Sequence, residues 1–137
     1  MAASLQVRVI TPEKVVFEGS CTQVQYPGED GLYGVLANHA PMVTTVDAGV
    51  ITLKQADGSE EHLFVSSGFA QVARNELRFA VNSGELEGEI DMERAERAAT
   101  RARERIAQSK QSAIDSIRAQ ASLRRALMRM RAKRRRS

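Results

Sequence analysis

The side chains best suited to chemistry in this sequence are its arginines. Arg94, Arg97, Arg101 and Arg105 recur at spacings of 3, 4 and 4. On a helix this makes one ridge of guanidinium groups, which repel one another unless acids or a bound anion relieve them. Guanidinium forks match phosphate and carboxylate. The plainer alternative is a solvated basic face, eased by the neighbouring Glu93 and Glu96. A denser run follows in Arg124, Arg125, Arg129, Arg131, Lys133, Arg134, Arg135 and Arg136. Positive charge at that density calls for an acidic partner: nucleic acid, acidic lipid or an acidic protein surface.

Other reactive types are sparse. Gly28-Glu29-Asp30-Gly31-Leu32-Tyr33-Gly34 is glycine-rich, but it has neither the dinucleotide spacing nor a following Gly-Lys-Ser/Thr, so these glycines read as turn residues. His39 and His62 show no metal-ligand pattern, and His62 reads as a surface residue on a strand. Ser66-Ser67 has no base in view, and no nucleophile elbow is present. Cys21 is the single cysteine; it reads as a small strand residue and fits a reducing compartment. No catalytic constellation or metal set emerges, so the chain is expected not to be an enzyme.

The elements that must carry these residues divide at about residue 88. Residues 1–88 hold five Lys/Arg and eleven Asp/Glu (5 − 11 = −6); residues 89–137 hold fifteen and six (15 − 6 = +9). All nine glycines, all three prolines, all six aromatics and every valine precede residue 89. Those types favour strands and turns, whereas the Ala, Arg, Glu, Leu and Met that follow favour helix. The reading is an α+β protein: a β domain over 1–88, then a helical segment over 89–137.

Nine strands are predicted at Leu5–Ile10, Lys14–Glu18, Thr22–Tyr26, Leu32–Leu36, Met42–Val46, Val50–Gln55, Glu61–Ser66, Phe69–Ala73 and Leu77–Val81. Turn residues separate them, among them Pro27-Gly28. Short strands at this spacing predict a sandwich or flattened barrel. Beyond it, Met92, Ala95, Ala99, Ala102 and Ile106 form one helical stripe and Ala119, Leu123, Ala126 and Met130 another, with a polar stretch near 108–112 between them. Two antiparallel helices follow from that pattern, the first capped by Asp91. Because the stripes are mostly alanine, the helices are expected to persist while docking only marginally, as a movable arm.

Three function classes remain open on composition. A basic-tailed nucleic-acid binder lacks aromatics for base stacking in 89–137. A membrane-surface helix lacks Trp or Phe on its apolar face. A protein-interaction and regulatory subunit meets an acidic protein surface. The N-terminus, MAASLQVRVI, has no secretory pattern, and no apolar run is long enough to span a membrane, so a cytoplasmic chain is expected.

Ordered motifs narrow the choice. Val7–Thr11, Pro12-Glu13 and Val16-Phe17-Glu18-Gly19, then Gly31–Leu36, Asn38-His39-Ala40-Pro41, Asp47-Ala48-Gly49-Val50, Phe64-Val65-Ser66-Ser67-Gly68-Phe69 and Ile90-Asp91-Met92-Glu93-Arg94-Ala95 resemble, in order, the epsilon subunit family of F-type ATP synthases. The sequence departs from that pattern at Leu36-Ala37-Asn38, Ala48 and Ser67, departures that touch loop geometry and not layout. The resemblance implies a flattened N-terminal β-sandwich followed by a C-terminal antiparallel two-helix hairpin. It implies a non-catalytic central-stalk subunit that joins the gamma subunit to the c-ring. A mobile arm would inhibit ATP hydrolysis by meeting the beta subunits.

Site residues follow from the resemblance alone. Gly28, Glu29, Asp30, Gly31, Leu32 and His39 are implied rotor contacts. Arg124, Arg125, Arg129, Arg131, Lys133 and Arg134 are implied inhibitory contacts with beta. Glu85, Asp91, Arg94, Ala95, Arg101, Arg125 and Arg129 match a set that in some members binds ATP between the folded helices, as a regulatory ligand and not a required cofactor. The implied location is peripheral, on the cytoplasmic face of a bacterial plasma membrane or the stromal side of a thylakoid.

Overall fold

A computed structural model describes residues 3–108 and 113–134. Ten strands form two five-stranded sheets stacked as a sandwich, and two helices follow. The strands are β1 (Leu5–Ile10), β2 (Val15–Cys21), β3 (Gln23–Gly28), β4 (Gly31–Leu36), β5 (Met42–Val46), β6 (Gly49–Lys54), β7 (Glu60–Val65), β8 (Gly68–Ala73), β9 (Glu76–Val81) and β10 (Gly84–Leu86). One sheet runs β2-β1-β9-β8-β5, the other β10-β7-β6-β3-β4. Neighbours are antiparallel except β1 and β9, which run parallel with Gln6 opposite Glu76.

Alternation explains the sandwich. Leu5, Val7 and Val9 of β1, Val24 and Tyr26 of β3, and Leu77, Phe79 and Val81 of β9 point into the inter-sheet core, while Gln6, Arg8 and Arg78 point out. Tyr26 anchors the middle: its ring meets Phe79 edge-on at 5.1 Å and stacks on Tyr33 at 5.4 Å. Its hydroxyl shares a 2.6 Å hydrogen bond with Thr44 on the facing sheet. This partner satisfies a buried phenol that would otherwise lose its water.

The sequence and structure differ at several points. Pro27-Gly28 is not a turn but the end of β3, paired with Leu32 and Gly31; the hairpin loop is Glu29-Asp30. A strand proline is tolerated here because β6 pairs with β3 only at Gln23–Gln25, so no ladder bond is lost at Pro27. Strand β10 was not expected; three residues are too few to show a period, and its existence depends on pairing with β7. His62 is buried, not a surface residue; on the same face of β7, two residues on, Phe64 is fully buried beneath the second helix, so that face is not left to solvent.

After a single 3-10 turn at Glu87–Glu89 come α1 (Met92–Ala107) and α2 (Ala113–Arg134). Asp91 caps α1, its Oδ1 accepting from the Arg94 amide at 3.1 Å. The alanine stripes meet as expected, with Ala95, Ala99 and Ala102 of α1 and Ala119 and Ala126 of α2 buried. The helices are antiparallel: Lys133, near the end of α2, donates to the Glu87 carbonyl just before α1 begins. The linking segment, apart from Gln108, and the Arg135–Ser137 tail lie outside the described residues.

Candidate functional site

Helix α2 uses two faces. One carries Ala119 and Ala126 toward α1. The opposite face lies on the outer surface of the β10-β7-β6-β3-β4 sheet, where Met128 and Ala132 close over Val50, Phe64 and Ile90. This small cluster is separate from the inter-sheet core. Sequence reading found the first face and missed the second. A signal was present: Val50-Ile51 and Leu63-Phe64-Val65 interrupt the alternation of an antiparallel strand, which occurs when both strand faces are covered.

Charged ties surround the cluster. Arg129 Nε donates to Glu85 Oε1 at 2.6 Å, with the side chains 27% and 32% exposed. The same guanidinium carbon lies 4.3 Å from the Phe64 ring centroid. Arg124 pairs with Asp47 at 3.5 Å on the surface, and Lys133 Nζ reaches the Glu87 carbonyl at 3.4 Å. Three of the cations expected to meet an external acidic surface are therefore engaged with the sandwich. Arg131 and Arg134 are exposed, and Arg125 donates to Ser122 Oγ at 3.1 Å.

The residues matched to the nucleotide set are only partly gathered. Glu85 and Arg129 bind each other. Asp91 serves the α1 N-terminus, Ala95 is buried in the helix seam, and Arg94 and Arg101 lie exposed on α1. Among the described residues, the arginine ridge is relieved by one exposed pair, Arg97 with Glu93 at 3.8 Å.

Of the residues matched to rotor contacts, Gly28 to Leu32 form the tip of the β3–β4 hairpin, whereas His39 follows the opposite end of β4 and is not brought together with them. Glu29, Asp30 and Gly31 are exposed, and Gly31 has φ +126°, a conformation that favours glycine. Gly28 is buried, and a Cβ there would fall within 2.0 Å of the Tyr33 ring. His39 is half-buried, its Nδ1 2.8 Å from the Ala40 carbonyl. Strands β4 and β5 are edge strands on the same side of the sandwich, since β5 faces β3 through the Tyr26–Thr44 bond. Near this side Leu32, Leu36, Val43 and Phe69 stand exposed, Leu32 at 71% and Val43 at 70%. Leu32 and Leu36 point from the outer face of one sheet and Val43 and Phe69 from the outer face of the other, because Val35, Thr44 and Ala70 turn inward.

Among the described residues no three His, Cys, Asp or Glu side chains gather into a metal site, and no helix is long and apolar enough to cross a membrane. The architecture is a two-sheet sandwich carrying a docked, arginine-rich helical hairpin. A family described as the ATP synthase delta/epsilon chain matches twice, its β-sandwich domain over residues 4–87 and its long α-helix domain over 89–134. The chain belongs to this ATP synthase delta/epsilon family. It is 41% identical over 131 residues to the ATP synthase epsilon chain of Nitratidesulfovibrio vulgaris, covering 96% of each chain. The epsilon chain of Moorella thermoacetica is 38% identical over 130 residues, covering 95% of this chain and 96% of that one. The fold is shared with a chain of the Euglena gracilis mitochondrial ATP synthase, in a structure of its OSCP, F1 and c-ring. The TM-score is 0.77 at 21% identity, over 89% of this chain and 76% of that one.

Proposed function

We propose that this chain is the epsilon-type subunit of an F-type, proton-translocating ATP synthase, with no catalytic site of its own. In this reading it is a peripheral rotor component of the central stalk on the cytoplasmic face of a bacterial plasma membrane. The β3–β4 hairpin tip, Gly28 to Leu32, with Glu29, Asp30 and Leu32 exposed, and the His39 loop meet the gamma subunit and the c-ring. The helical arm restrains ATP hydrolysis when its arginines reach an acidic surface on the beta subunits. ATP, if bound between the helices by the Arg94, Arg101, Arg125 and Arg129 group, favours the folded arm by RT ln(1 + [L]/Kd).

One observation carries the regulatory part. Helix α2 holds the densest positive charge, yet it rests on the sandwich through its own small cluster and supplies nothing to the inter-sheet core. It can therefore leave without opening that core. The test compares ATP hydrolysis by the reconstituted catalytic complex with the full chain and with a 1–88 truncation. Faster hydrolysis with the truncated chain is expected; equal rates would remove the inhibitory role and leave the rotor role standing.

A further inference from the structure

We infer that Glu85 and Phe64 form a clamp for Arg129 that holds the arm in its folded position. This deepens, and rests on, the mobile-arm reading. Glu85 and Phe64 are directly opposite each other in the antiparallel β10–β7 pair. A carboxylate and an aromatic face thus stand side by side on the outer surface of one sheet. Arg129 fills the space they make, bonded to the carboxylate at 2.6 Å and lying over the ring at 4.3 Å.

The other ties are weaker by their geometry. Arg124 and Asp47 are 57% and 51% exposed at 3.5 Å, and pairs of that kind contribute little. Lys133 reaches only a carbonyl, at 3.4 Å. Of these three, Arg129 combines a short charge-assisted bond, partial burial and a ring beneath the cation, each of which strengthens the interaction. It also lies beside Met128 and one turn before Ala132, the residues that seal the apolar cluster. Releasing this side chain loosens the whole sheet-facing side of α2. While it is clamped, Arg129 is neutralised from within and held away from an external acidic surface.

The experiment is native-state hydrogen exchange on the full chain with Glu85→Gln, Arg129→Gln and the double variant, and with Glu89→Gln as control. Glu89 pairs on the surface with Lys14, just before β2, at 3.2 Å, and not with a cation of α2. Loss of a charge-assisted bond predicts exchange in α2 faster by about fivefold or more in each single variant, with the sheets unchanged. The double variant should open at most about twofold faster than the singles, because both remove one shared interaction. Alpha-2 exchange in Glu85→Gln within about twofold of wild type, or equal acceleration in Glu89→Gln, overturns the clamp. The two readings fail differently. A wild-type α2 that opens only together with the sheets refutes arm and clamp together, whereas a wild-type arm that opens separately and ignores the substitution refutes the clamp alone.

Discussion

Ala126→Leu tests the idea that the hairpin is held by close contact of small residues. Ala126 is fully buried, on the flank of α2 opposite Met128 and Ala132. Alanine and leucine are both strong helix formers, so α2 stays helical by itself. The added carbons have nowhere to go but the seam with α1. Overpacking a filled site costs about 1–3 kcal/mol, equal to a shift of about 5- to 150-fold in the docked-to-undocked ratio. Hydrogen exchange on wild type and variant, with far-UV circular dichroism for helix content, measures both terms. The expected result is unchanged helicity, faster exchange in both helices and unchanged protection in β1, β9 and β7. Equal or slower helix exchange in the variant would show that the seam has slack, and the argument from alanine packing would fail. Acceleration spread into the sheets would show that arm and sandwich open as one unit.

Two further outcomes are expected. ATP titrated into the isolated full chain should raise its melting temperature if the arginines of the hairpin hold the phosphates; no shift and no heat of binding would remove the nucleotide from the account. Burial pushes the Cys21 thiol up from 9.0 to about 11. Between those values the unfolded chain releases a proton that the folded chain keeps, so stability falls as pH rises across that window. Cys21→Ala should flatten this fall in the urea midpoint; the Tyr26 phenol, raised mainly by burial, keeps a residual slope above pH 10.0. The same slope in both proteins would refute the assignment to Cys21.

Much of the fold was legible because alternation is a local signal. Leu5–Ile10 and Met42–Val46 have the same bounds in sequence and structure, and Asp91 caps α1 where a helix start was expected. The elements that escaped were set by distant partners. β10 depends on β7, and the burial of His62 and Phe64 depends on what lies across the outer face of their sheet. Helix α2 was read as having one apolar face because Ala119, Leu123, Ala126 and Met130 recur at helical spacing. Met128 and Ala132 matter only once Val50, Phe64 and Ile90 are known to lie beneath them. The candidate site was legible as a supply of arginines but not as an arrangement. No spacing rule predicts that Arg129 meets Glu85, 44 residues away, before it meets any external anion.

The parallel pairing of β1 with β9 bears on how the molecule is made. Gln6 lies opposite Glu76, so the first strand waits for a neighbour that leaves the ribosome 76 − 6 = 70 residues later. Until then β1 and β2 form a hairpin with one open edge, and the apolar side of Leu5, Val7 and Val9 has nothing to cover it. Such distant pairing slows folding and leaves the nascent chain open to wrong partners. By contrast the two helices emerge after all ten strands, when the sheet that receives α2 can already be complete, so their docking needs no partner still to be made.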